Sequence, residues 1–132
     1  MTIKRFEEIE AWQKTRQLTA NIYKATATGL FARDYGLRDQ IRRAAVSSMS
    51  NIAEGFERDG NKEFVQFLSV AKGSIGEVRS QLYVALDAGL LNQAHFNELF
   101  VSAEEASRLI SGFMRYLRQS ELRGRKAGGG QT

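Results

Sequence analysis

Proline and cysteine are both absent from this chain, and histidine and tryptophan occur once each, as His95 and Trp12. Without cysteine there is neither a disulfide framework nor a thiolate metal site. Without proline, long helices can run uninterrupted, since a proline in a helix interior costs about 3 kcal/mol. One histidine leaves little for metal or proton chemistry. A di-iron bundle needs Glu-x-x-His pairs on facing helices, and here Glu98 follows His95 in the reverse order, once. A Ser-His-Asp system would have to be built on His95, which has no nucleophile motif beside it. The helical ribonuclease pattern Arg-x4-His also fails, because the nearest arginine upstream is Arg79. His95 reads as a surface residue in a first helical turn. Gly73-Ser74-Ile75-Gly76 lies inside a helical pattern, and Gly128-Gly129-Gly130 has no Lys-Ser/Thr after it, so neither is a phosphate loop. We therefore expect no enzyme activity, no catalytic residue, no metal and no cofactor. Long apolar runs are missing as well. The opening residues MTIKRFEEIEAW are charged and carry no signal-peptide pattern, so a cytoplasmic location is expected.

Of the 132 residues, 19 are basic and 15 acidic, giving a net charge of +4. From Arg115 onward there are five basic residues (Arg115, Arg118, Arg123, Arg125, Lys126) and one acid (Glu121), so residues 1–114 are neutral with 14 of each sign. The basic character thus reports the C-terminal segment, which weakens the usual link between high pI and nucleic acid.

What is present is helical periodicity. Ala11, Trp12, Thr15, Leu18, Thr19, Ile22 and Thr26 share one face of a helix that opens at Phe6 and ends near Thr28, with Gly29 as its stop. Trp12 sits on that apolar face and reads as a core or groove-filling residue. Leu30-Phe31-Ala32 reads as an apolar loop over the bundle end, and Asp34 as the N-cap of the next helix. The stretch Leu37 to Glu57 organises the chain: Leu37, Ile41, Ala44, Ala45, Ser48, Ile52 and Phe56 form its core stripe. Arg58-Asp59-Gly60-Asn61 is a turn, with Asn61 capping a third helix over Lys62 to Ala88. Its core face is Phe64, Phe67, Leu68, Ala71, Ile75, Val78, Leu82, Ala85 and Leu86. Asn92 caps a fourth helix, which runs to about Gln119 with Phe96, Leu99, Phe100, Ala103, Ala106, Ile110, Met114 and Leu117 inward. Four such helices joined by short loops predict an all-α, up-down antiparallel four-helix bundle over 6–119 and a flexible basic tail over 120–132.

Two surface features exceed what a lone bundle needs. Beside the core stripe of the central helix runs a polar row, Gln40, Arg43, Ser47, Asn51, Glu54 and Arg58. Ser and Asn are poor helix formers, so Ser47 and Asn51 in mid-helix point to a tertiary partner; the alternative is a solvated face. Opposite the core face of the third helix lie Ser69, Gly73, Gly76 and Ser80, four small residues at helical spacing. The two glycines forfeit roughly 2 kcal/mol of helix propensity. Either another subunit packs closely there, or they are tolerated surface glycines. On the oligomer reading, Ser47, Asn51, Glu54, Arg58, Ser69, Gly73, Gly76 and Ser80 are subunit-contact residues.

Gln40-Ile41-Arg42-Arg43-Ala44-Ala45, Ser48 and Asn51-Ile52-Ala53-Glu54-Gly55 together resemble one family's signature. Glu63-Phe64, Phe67-Leu68, Ala71-Lys72-Gly73-Ser74 and Glu77 extend the match, as do Phe6, Ala11-Trp12-Gln13 and Ile22-Tyr23. The family is that of the four-helix-bundle proteins encoded in intervening sequences of bacterial 23S ribosomal RNA genes, also called the S23 ribosomal protein family. The resemblance spans residues 6 to 118. It implies a ring-shaped homopentamer and a fold similar to the accessory protein of diversity-generating retroelements, which binds nucleic acid through a basic surface. It brings no enzymatic activity. With that resemblance, Arg38, Arg42 and Arg43, joined by Lys72 and Arg79, become candidate contacts to RNA or DNA. Local pairing of these arginines with Asp34 and Asp39 is the competing reading. A scaffold module that binds only protein is the alternative function.

Overall fold

In the computed structural model, the backbone is described for residues 3–128 and side chains for residues 3–120. Five helices follow in order, and no strand occurs among the described residues. After a short 3-10 turn at Phe6–Glu8 come α1 (Glu10–Ala25), α2 (Gly29–Arg33), α3 (Tyr35–Phe56), α4 (Asn61–Asp87) and α5 (Gln93–Gly128). Helix α1 packs on α3 and α5, α3 on α4, and α4 on α5, so the four long helices close a ring of contacts around one core. That core is made by the stripes expected from the sequence: Leu18, Ile22, Ile41, Ile52, Leu68, Ile75, Val78, Leu82 and Ile110 are all essentially inaccessible to water. Fully burying a side chain of this size contributes about 1.5–3 kcal/mol.

At the helix ends local chemistry prevails over periodicity. The opening segment is not one helix: Ile9, extended and buried, separates the 3-10 turn from α1. Helix α1 stops at Ala25 rather than near Thr28, and Gly29, at φ +68°, begins the next element. The expected loop Leu30-Phe31-Ala32 is the short helix α2, whose Phe31 is 1% exposed and belongs to the core. Asp34 does cap α3, accepting from the Leu37 amide at 3.0 Å. Asn92 likewise accepts from the His95 amide at 2.8 Å. Asn61 does not cap α4. Gly60 holds the cap position at φ +89°, and the Asn61 side chain instead donates to the Leu117 carbonyl of α5 at 3.1 Å. Helix α5 passes Gln119 and continues to Gly128, while residues 129–132 of the expected tail lie outside the described residues.

Gly55 explains the tight α3–α4 pairing. A Cβ at this buried position would stand 2.7 Å from both Phe64 Cδ1 and Phe67 Cβ. The glycine is thus both near the helix end and a point of close approach for α4.

Candidate nucleic-acid interface

The five candidate contact residues do not form one patch. Arg38 and Arg42 lie at the end of the bundle, where each is engaged locally. Arg38 pairs with Asp39 at 3.0 Å, donates to the Ala32 carbonyl at 3.1 Å and lies over the Tyr35 ring. Asp34, occupied as a cap, is not its ion-pair partner. Arg42 donates to Thr26 Oγ1 at 2.8 Å and to the Tyr23 carbonyl at 3.3 Å, with its guanidinium 4.4 Å from the Tyr23 ring centroid. Thr26 Oγ1 in turn donates to the Ile22 carbonyl. Arg42 therefore supplies positive charge and donors to the C-terminal end of α1, where carbonyls lack helical partners. These two arginines hold the α1–α2–α3 connection in place.

Arg43 is separate. It lines a groove between α3 and α4 with Gln40, Ala44, Ser47, Glu77 and Gln81, facing a carboxylate and two amides. Here the structure supplies the tertiary partner expected for Ser47: Ser74 of α4 donates to Ser47 Oγ at 3.0 Å, and Asn51 Nδ2 donates to Ser47 Oγ and to its carbonyl. This part of the polar row closes on the chain's own α4. Glu54 and Arg58 are exposed, and Arg58 lies over the Phe67 ring at 5.0 Å. Ser69, Gly73, Gly76 and Ser80 are all exposed. Among the described residues nothing stands within 4 Å of a Cβ built on either glycine, so no described helix packs on the stripe there.

Lys72 and Arg79 come together with residues the sequence reading did not single out. A groove of about 570 Å³ between α4 and α5 is lined by Lys72, Arg79, Glu104, Ser107, Arg108, Ser111 and Arg115. Two helical stripes build it. On α4, Lys72, Gly76, Arg79 and Tyr83 follow at spacings of four, three and four; on α5, Phe100, Glu104, Ser107, Ser111 and Arg115 follow at four, three, four and four. Four cations thus share the groove with one carboxylate. An excess of positive charge lining one groove favours an anion in it. Among the described residues none of the four forms a salt bridge, whereas Arg38 does. Hydroxyls from Ser107 and Ser111 add donors suited to phosphate oxygens. Around the corner, Lys14 of α1 bonds Glu105 of α5 at 2.7 Å; that hydrogen bond, then the lysine's charge, holds the Glu105 carboxyl below its ordinary value.

The signal for Arg108 and Arg115 was present in the α5 periodicity. It becomes visible only when the stripes of two neighbouring helices are laid side by side, which requires knowing that α4 packs on α5. Elsewhere, a cleft of about 460 Å³ at the end of the bundle is lined by Asn21, Lys24, Leu30, Leu91, His95 and Glu98, among others. Among the described residues, no three histidine, aspartate or glutamate side chains are grouped to hold a metal ion. No helix among them is long and apolar enough to cross a membrane.

Fold and groove together define a small all-helical bundle protein whose distinctive surface is a cation-lined cleft between two antiparallel helices. The chain belongs to the family of 23S rRNA-intervening sequence proteins, whose model matches residues 7–112. It is similar in fold to a protein of unknown function from the S23 ribosomal protein family of Bacteroides thetaiotaomicron VPI-5482, with a TM-score of 0.72. That likeness covers 79% of this chain and 97% of the other at 17% identity, a level that speaks to the fold. No curated protein matches the chain.

Proposed function

We propose that this protein is a non-enzymatic RNA-binding accessory protein of the cytoplasm, working as a homo-oligomer of helical bundles, and that the α4–α5 groove is its RNA face. The observation that carries this reading is the gathering of Lys72, Arg79, Arg108 and Arg115 along one groove with Glu104, while Arg108 also borders Glu8 and Glu10 on its other side. The resemblance in fold to an accessory protein that binds nucleic acid through a basic surface supports a nucleic-acid ligand over other polyanions. The resemblance to ring-shaped homopentamers supports oligomerisation. A ring would repeat the groove in every subunit, so weak contacts would be multiplied by avidity. Arg38 and Arg42 are assigned to the architecture of the bundle end rather than to the ligand.

The test is binding of a structured RNA between about 50 and 200 mM salt, where a phosphate-directed site with several contacts weakens by orders of magnitude. Lys72→Glu with Arg108→Glu should abolish binding at the higher salt. Lys72→Ala alone should weaken it and reduce the salt slope by about one. Binding that ignores salt, or that survives the double reversal, sinks the assignment of the groove.

The exposed stripe Ser69, Gly73, Gly76 and Ser80 favours a second reading, a protein-only scaffold in which this stripe and Glu54 meet a neighbouring subunit. The mass of the particle in solution separates the two. Glu54→Ala combined with Asn51→Ala should lower it under the scaffold reading, with RNA binding absent throughout.

A further inference from the structure

The cation groove does not end in charge. At the end of the α4 stripe, one turn beyond Arg79, stands Tyr83, a large aromatic side chain left 50% exposed. Its ring packs 5.1 Å from Phe100 at 66° and 5.1 Å from Phe96 at 50°. Phe96 and Phe100 themselves stack at 5.1 Å and 23°. Arg79, a groove residue, lays its guanidinium 5.2 Å from the centroid of Phe100. Charge and aromatic surface are therefore continuous, with Arg79 belonging to both. The Nε of Arg79 is shut off from solvent and has no hydrogen-bond partner among the described residues, so its placement rests on the Phe100 ring rather than on an ion pair or a cap. Between Lys72 and Arg79 the stripe is carried by Gly76, over which the surface is open, leaving room for a chain to lie along the helix.

We propose that Tyr83, backed by Phe96 and Phe100 and flanked by the Arg79 guanidinium, is a stacking platform for an unpaired base, so that the groove takes single-stranded RNA. This rests on the reading of the groove as the RNA face and sharpens it. Tyr83 stands eleven residues beyond Lys72, about 16 Å along the helix, long enough for phosphates to meet Lys72, Arg108 and Arg115 while a base reaches the aromatic end. Bases paired inside a duplex keep their faces covered by their neighbours and cannot use such a platform. Unpaired bases stack on tyrosine, phenylalanine and arginine planes with little sequence preference. A duplex would find only the charges.

The experiment compares a short single-stranded RNA carrying one fluorescent base analogue with a blunt RNA duplex of the same length. Both are titrated with the wild-type protein, Tyr83→Ala, Tyr83→Phe and the Lys72→Glu/Arg108→Glu pair. The wild type should quench the analogue in the single strand and bind it more tightly than the duplex. Tyr83→Ala should lose roughly 5- to 150-fold in affinity for the single strand, the range for removing one stacked base, with the salt slope unchanged. Its duplex affinity should stay as it was, and Tyr83→Phe should behave as wild type. The double reversal should weaken both ligands. If Tyr83→Ala binds the single strand as tightly as wild type while the double reversal fails to bind, the platform is refuted and the electrostatic reading stands. If neither change matters, both fall. A lower particle mass for Tyr83→Ala would place Tyr83 in a subunit contact and overturn the platform.

Discussion

Gly55 of α3 and Gly73 and Gly76 of α4 all lie in long helices, yet replacing each with alanine should not have the same sign. Alanine gains about 1 kcal/mol over glycine in a helix interior. At Gly73 and Gly76 nothing stands within 4 Å of the new Cβ, so each substitution should stabilise the protomer by up to about that amount. At Gly55 the new atom meets Phe64 Cδ1 and Phe67 Cβ at 2.7 Å and Phe64 Cε1 at 3.2 Å. The Phe67 Cβ is fixed to its own helix and cannot swing aside. The Phe64 ring is buried and held edge-on by Phe56 at 6.2 Å and Phe113 at 5.4 Å. Helix α4 must then retreat by about 0.8 Å to restore the roughly 3.5 Å at which carbon atoms pack. Such overpacking costs about 1–3 kcal/mol. Less the propensity gain of about 1 kcal/mol, Gly55→Ala should lose up to about 2 kcal/mol, which corresponds to a Tm lower by up to about 8 °C in a domain of this size. Thermal and urea melts of the single variants measure it directly. A Gly55→Ala protein stabilised by about 1 kcal/mol, as expected at the open Gly73 and Gly76, would refute the close-approach argument. Gly73→Ala also interrogates the subunit contact: if another copy packs on that stripe, its melting point should fall and depend on protein concentration instead of rising.

Two further substitutions follow from the arrangement of charge. Arg42→Met keeps the apolar stem but removes the donors to Thr26 and Tyr23, so it should cost about 1–2 kcal/mol in urea denaturation while leaving RNA affinity within about twofold; a loss of binding without a loss of stability would return Arg42 to the ligand site. Glu105 is held below the ordinary carboxylate value of 4.5 by Lys14, so its contribution to stability is fully present above that value and is lost as the pH falls through the lowered one. The urea midpoint should therefore drop on acidification below about pH 4.5, and Glu105→Gln should flatten that part of the profile; an unchanged profile would mean the α1–α5 ion pair carries no weight.

The bundle was legible because burial imposes its period on every helix. Most residues of the inward stripes are buried, down to Thr15, Thr19 and Thr26, whose hydroxyls donate to their own helix backbone, while Trp12, Leu37, Phe56, Phe67, Leu86 and Phe100 at the stripe edges are half-buried. The joints were less legible, since a joint depends on what lies beside it. Phe31 draws Gly29–Arg33 into a helical turn by its burial, and Asn61 is taken from the cap by a carbonyl of α5, fifty-six residues further on. The groove was hidden for a related reason. Summed along residues 1–114, charge cancels to zero, and Arg115 counts with the tail. Laid on the surface, the same residues separate by helix face, and Arg115 joins Lys72, Arg79 and Arg108 on the bundle. The arginine cluster Arg38-Arg42-Arg43 was conspicuous in sequence because it is local, yet two of its members are engaged by nearby backbone and aromatic groups.

The seam between α1 and α5 also bears on how the molecule comes apart. Helices α3 and α4 are consecutive, joined by a four-residue turn, and locked at Gly55. Helices α1 and α5 stand at the two ends of the chain and meet through Lys14 and Glu105, 105 − 14 = 91 residues apart. Bringing such distant segments together carries the larger loop-closure entropy, so the α3–α4 hairpin can form as a unit before α1 docks. In reverse, α1 is the element that opens first, and its amides should exchange with solvent while those of α3 and α4 remain protected.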